Sequence, residues 1–113
     1  MGRKPETNFK IRVIKELKTL PNTWFVKIQQ RSTRGIPDFL LSIKGFFVAL
    51  ELKSSQKSPL HPLQDWTLKE IAGKGGLAFV SHPENWKETF LVLKELATRG
   101  DDEELAENPG IIS

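Results

Sequence analysis

Residues 35–53 read Gly35-Ile36-Pro37-Asp38-Phe39-Leu40-Leu41-Ser42-Ile43-Lys44-Gly45-Phe46-Phe47-Val48-Ala49-Leu50-Glu51-Leu52-Lys53. Two short apolar runs meet at Lys44-Gly45, and charge occurs only near their outer ends and at the turn. A tight turn using the positive-φ tolerance of Gly45 pairs the runs antiparallel, bringing the start of the first beside the end of the second. Asp38 is then expected close to Glu51 and Lys53. Strand side chains alternate between faces, so Glu51 and Lys53 share one face while Leu50 and Leu52 share the other. Two carboxylates and an ammonium converge. Carboxylates forced together repel unless a cation lies between them, and a divalent ion such as Mg2+ is the usual partner of hard oxygen ligands.

Upstream, Phe9, Val13, Ile14, Leu17 and Leu20 recur at helical spacing over residues 6–20, and Pro21 closes the segment. Glu6 falls inside the apolar arc and Glu16 at its edge. An inward acid at a helix start also favours the macrodipole, so both readings of Glu6 stay open at this point. Residues 24–28 are aromatic and β-branched and predict a strand. The polar run 29–34 leads into Gly35, and its Arg31 and Arg34 are candidate phosphate contacts or plain solvated surface. Pro37 belongs at a strand start, where it holds Asp38 at the mouth of the hairpin.

Downstream, residues 54–62 form a loop stiffened by Pro59 and Pro62, with Lys57 its candidate phosphate contact. His61 has no second His or Cys at ligand spacing and reads as surface. Leu63, Leu68 and Ile71 define a helical arc over residues 63–73 that also holds Gln64, a polar amide that needs partners. Capping nearby backbone is its commoner fate. Trp66 lies on the opposite side of that helix. Gly73-Lys74-Gly75-Gly76 ends it without the Lys-Ser/Thr pair of a P-loop. Residues 77–81 predict a buried strand, and residues 83–99 a helix whose stripe is Trp86, Phe90, Leu93 and Ala97. Leu91, Val92 and Leu96 are surplus apolar surface, suited with Trp66 to a second subunit.

The 113 residues suffice for one core, so residues 1–100 read as a single domain and 101–113, with five acids and no base, as a mobile acidic tail. With no cysteine there is no disulfide framework or thiolate metal site, which suits a cytoplasmic location. No apolar run reaches the length of a membrane span. Residues 1–57 carry 12 Lys+Arg against 4 Asp+Glu, whereas 58–113 carry 5 against 10. Three of the four acids in the basic half are the candidate site residues Glu6, Asp38 and Glu51. The remaining surface of that half attracts a polyanion. The order helix, three strands, helix, strand, helix predicts an α/β fold, a mixed central sheet flanked by helices.

Gly-X-Pro-Asp at 35–38, a hairpin-sized gap, Glu-Leu-Lys at 51–53 and the downstream Gln64 together resemble the PD-(D/E)XK nuclease superfamily. Within it, the likeness is to small VRR-NUC domains and to RecU-type or Hjc-type Holliday junction resolvases. It covers residues 6–81. The resemblance implies a nuclease-like core and a Mg2+ site, with Mn2+ substituting, formed by Asp38, Glu51, the backbone carbonyl of Leu52 and the first-helix acid Glu6, with Glu16 in reserve. Lys53 then orients the attacking water or stabilises the transition state, and Gln64 fixes Lys53 or that water. The expected activity is a structure-selective DNA endonuclease, a homodimeric junction resolvase acting in DNA recombination and repair. The alternatives are a VRR-NUC flap or nicking nuclease, a restriction-type nuclease, and a DNA-binding module without catalysis.

Overall fold

In the computed structural model of the protein, residues 5–29 and 35–100 are described, residues 5 and 6 by their backbone alone. The elements are α1 (Pro5–Leu17), β1 (Thr23–Lys27), β2 (Phe39–Ile43), β3 (Phe46–Leu52), α2 (Pro62–Gly73), β4 (Leu77–Ser81) and α3 (Trp86–Thr98). They make an α/β fold around one four-stranded mixed sheet in the order β1-β2-β3-β4. The first three strands are antiparallel, and β4 runs parallel to β3. A parallel neighbour requires a crossover, which α2 supplies.

The hairpin forms where expected, with Ile43 opposite Phe46 across Lys44 (φ 49°) and Gly45 (φ 93°). Two positive φ values define a type I′ turn, whose twist matches that of the flanking strands. The sequence reading asked this only of Gly45. Lys44 adopts the left-handed conformation too, at a cost of about 1–2 kcal/mol, and both its ends are tied. Its N–H donates to the Asn22 carbonyl at 2.9 Å, and its ammonium donates to the carbonyl of Arg99.

This register pairs Phe39 with Leu50, so Phe39, Leu41, Ile43, Val48, Leu50 and Leu52 share one face of the sheet. Phe9, Val13 and Leu17 of α1 and Trp86, Leu93, Leu96 and Ala97 of α3 cover that face as a single buried core. Phe9 meets Trp86 edge-on, with centroids 6.2 Å apart. The other face carries Glu51 and Lys53 and meets α2.

Four expectations need correction. Helix α1 stops at Leu17 rather than Leu20. Two i→i+3 bonds, Thr19 N–H to Glu16 O and Leu20 N–H to Leu17 O, tighten the chain into a turn from which Leu20 still enters the core. Strand β4 lies at the sheet edge, so only Ser81 is fully buried along it. Leu63 is exposed, because it sits in the first turn of α2 beyond the sheet's cover. Leu96 is buried in the core and is not surplus surface. Leu91 and Val92 of α3 and Trp66 of α2 are exposed, but their helices lie on opposite faces of the sheet, so they form no single patch. Among the described residues, no helix is long and apolar enough to cross a membrane. The acidic segment 101–113 lies outside the described residues.

Candidate functional site

Asp38 sits one residue before β2 and is tied from three sides. Its carbonyl accepts the Ile28 N–H at 2.7 Å, its own N–H donates to Glu51 Oε1 at 3.2 Å, and its Oδ2 accepts the Leu52 N–H at 2.7 Å. Each carboxylate therefore accepts a backbone N–H from the opposite strand, and the paired strands hold the two acids together. Leu52 contributes its N–H to this arrangement, a role that the sequence reading, which named its carbonyl, did not foresee.

Glu51 is only 2% exposed. Burial, then hydrogen bonding to Asp38 and the charge on it, push its pKa up from 4.5 to about 8, against the opposing pull of Lys53. The shift favours the protonated form of this glutamic acid until another cation takes the proton's place. Lys53 lies 3.7 Å from Glu51 Oε2 and donates to Gln64 Oε1 at 2.8 Å, so its ammonium is pinned between a carboxyl and an amide.

Gln64 resolves an ambiguity by doing both things at once. Its Oε1 accepts the His61 N–H at 3.0 Å, while His61 Nδ1 accepts the Leu63 N–H at 3.2 Å, forming a reciprocal cap at the start of α2. The same oxygen holds Lys53. His61 is exposed, as its sequence predicts, and in addition serves as the N-cap of α2. The sequence signal for this cap is a polar ring nitrogen two residues before the first periodic apolar position, Leu63.

Gly35 explains its own place before Pro37-Asp38. It has φ +86°, and a Cβ there would lie 2.8 Å from the Leu63 carbonyl oxygen. Only glycine permits both the conformation and this approach, which packs the start of the Asp38 segment against the first turn of α2.

A polar cleft of about 340 Å3 opens beside the cluster, lined by Thr7, Lys10, Lys53, Ser54, Ser58 and Pro59 among others. Nothing in the sequence pattern singles out Lys10, yet its Nζ lies 3.8 Å from Asp38 Oδ1. The backbone of Glu6 lies in the first turn of α1, at this end of the helix, while its side chain is outside the described set. Glu16 is about 9 Å further along the axis than Lys10 and accepts from Arg12 Nε at 2.9 Å, away from the cluster. Lys57 is exposed and does not line the cleft, although its loop forms a wall through Ser54 and Ser58, whose hydroxyls are 3.0 Å apart. Arg31 and Arg34 lie outside the described residues.

Among the described residues, no three His, Cys, Asp or Glu side chains gather as a metal cage. The donor set is the pair Asp38 and Glu51. Mg2+ keeps several waters and takes one or two protein carboxylates, so a two-carboxylate set with a buried member that otherwise holds a proton fits it.

What fold and site define together is an α/β domain with two carboxylates, a lysine and a glutamine gathered at the open end of a β-hairpin, beside a cationic cleft. No family model, curated protein or solved structure matches the chain.

Proposed function

We propose that the protein is a Mg2+-dependent, structure-selective DNA endonuclease of the PD-(D/E)XK type, acting as a Holliday junction resolvase. The observation that carries this reading is the convergence of Asp38, Glu51, Lys53 and Gln64 through backbone and side-chain bonds across one hairpin and the first turn of α2. A structural ion pair needs none of the rest. A nearly inaccessible glutamic acid held against a second carboxylate costs stability, which favours a functional reason for the pairing.

Asp38 and Glu51 would hold the ion, with Glu6 and the Leu52 carbonyl as further candidates. When bound, it lowers the pKa of water and offsets phosphate charge. Glu51 must release its proton for this, so loading and deprotonation are linked. Lys53, fixed by Gln64, keeps an ammonium beside the carboxylates, where it can orient a water or offset charge developing on the phosphoryl oxygens. The excess of Lys and Arg in residues 1–57 supplies attraction for the nucleic acid backbone. A domain of this size has little surface for reading sequence, so backbone and shape carry the recognition. Two copies related by a two-fold axis would set the spacing of paired cuts.

The test is incubation of pure protein with labelled four-way junction, flap, single-stranded and linear duplex DNA, with Mg2+ and with EDTA. Paired, Mg2+-dependent nicks on opposing junction strands are expected. Equal cutting of flaps and linear duplex would leave the chemistry standing and replace the resolvase reading with a VRR-NUC or restriction-type nuclease. Binding without cleavage in any divalent ion would reduce the protein to a DNA-binding module.

A further inference from the structure

The two lysines of the cleft are held differently. Lys53 is 16% exposed and fastened to both Glu51 and Gln64. Lys10 is 36% exposed, and among the described residues its ion-pair partner is Asp38 Oδ1 at 3.8 Å, beyond hydrogen-bond length. Its ammonium therefore leans toward the carboxylate without being fastened to it. It stands on the α1 side of the cleft, and Ser54, Ser58 and Pro59 stand on the loop side. Thr7, Ser54 and Ser58 line the same space, giving a cavity bordered by two cations and three hydroxyl-bearing residues. Such a lining suits a phosphate oxygen, with Lys acting as a point charge.

We propose that Lys10 is an exchangeable counter-ion: it neutralises Asp38 while no divalent cation is present, and is handed to a nucleic-acid phosphate in the cleft when a cation takes Asp38. The assignment of the phosphate to DNA rests on the endonuclease reading; the exchange at Asp38 does not. An ammonium and a divalent ion both satisfy the same carboxylate, so each weakens the hold of the other. Once displaced, the Lys10 charge is left at the cleft, where an incoming phosphodiester can compensate it. Cation and phosphate thereby become positively coupled through one side chain. The opposing signs are the signature of this arrangement: deleting the ammonium favours the cation and disfavours the polyanion, whereas a simple structural lysine would weaken both or neither.

The test compares the full-length wild type, Lys10→Met, which keeps most of the apolar stem, and the control Lys15→Met on the exposed side of α1. Thermal melts verify that each is folded. Calorimetric titration with Mn2+ in the absence of DNA is expected to give Lys10→Met a roughly threefold to tenfold higher affinity than wild type. Titration of a labelled four-way junction in Ca2+ over a series of salt concentrations is expected to show weaker binding and a salt slope lower by about one counterion. Lys15→Met should leave the Mn2+ affinity at the wild-type value. Unchanged or weaker Mn2+ binding by Lys10→Met, or no measurable Mn2+ binding by wild type, overturns the exchange. A rise in Mn2+ affinity with an unaltered salt slope overturns the handover to phosphate. If the opposed shifts appear but wild type cuts no DNA in Mg2+, the exchange stands and the endonuclease reading falls. If wild type cuts while Lys10→Met matches it in both titrations, the reverse holds.

Discussion

Replacing Glu51 with Gln should make the cation-free protein more stable at alkaline pH and remove most of its pH dependence. The native pKa of this group is about 8 against 4.5 when free of the fold. Between those values the unfolded chain has lost the proton while the native state retains it, so the unfolded state binds fewer protons. Stability therefore falls as pH rises, by roughly 1.4 kcal/mol per pH unit at the steepest. Over the whole window the loss is on the order of 4–5 kcal/mol, with nothing further lost above it. Glutamine is close in shape to the protonated acid and cannot ionise. Wild type and Glu51→Gln should match near pH 4.5 and diverge steadily toward pH 8, where their melting temperatures should differ by about 10 °C or more. The assay is a series of urea and thermal unfolding curves in EDTA from pH 4 to pH 9. The difference between the two proteins cancels the titrating groups that do not touch Glu51, leaving Glu51 and its interacting neighbour Asp38. Mg2+ at pH 8 should restore part of the wild-type deficit, about 2.7 kcal/mol at a concentration of 100 Kd, and do much less for the variant. Parallel curves for the two proteins across the window would mean that Glu51 is ionised in the native state, refuting the account of the site as a buried acid awaiting a cation.

Asp38→Asn retains an acceptor for the Leu52 N–H but removes a charge beside Glu51, so it should flatten the same pH dependence; in the proposed nuclease it should also end Mg2+-dependent cleavage while junction binding in a gel-shift assay persists. Gln64→Leu loses the cap bond and the hold on Lys53, with an expected cost of about 1 kcal/mol in urea unfolding. Single-turnover cleavage should slow more than DNA affinity falls, and an equal loss in both would make Gln64 merely structural. Gly35→Ala should cost about 1–3 kcal/mol from its positive φ alone, with a further penalty from the Leu63 carbonyl. A neutral result in the unfolding midpoint would mean that this close approach relaxes freely.

The hairpin and its acids were legible because a two-residue turn and the two-residue period of a strand leave little freedom. Once Lys44-Gly45 is the turn, Asp38, Glu51 and Lys53 can only meet. The partners contributed by helices were less legible. Lys10 lies on the same amphipathic helix as Phe9 and Val13, and periodicity alone does not say which sheet residue a flanking cation will reach. That depends on how α1 crosses the sheet. Leu96 and Leu63 stand at the margins of their apolar arcs, where a small rotation of the helix decides between core and solvent. Gln64 posed two fates as alternatives because a sequence lists residues singly, whereas a carbonyl oxygen has two lone pairs and here uses both. Gly35 is a visible member of the motif in the sequence, but its reason, the Leu63 carbonyl 28 residues later, exists only in the fold.

The oxygen that Gln64 shares between Lys53 and the His61 amide closes a noncovalent ring through the chain from residue 53 to residue 64. The loop inside this ring carries Ser54, Ser58 and Pro59, which are the wall of the cleft. A tethered loop has already lost much of its conformational entropy, so a ligand pressing on that wall has less disorder to quench. Displacement of the wall strains the Lys53 contact at one end and the first turn of α2 at the other, and fraying of that helix loosens the lysine. The cleft is thus mechanically geared to the ammonium beside the carboxylates, and hydrogen exchange at the His61 amide reads the tension in the ring from outside the site.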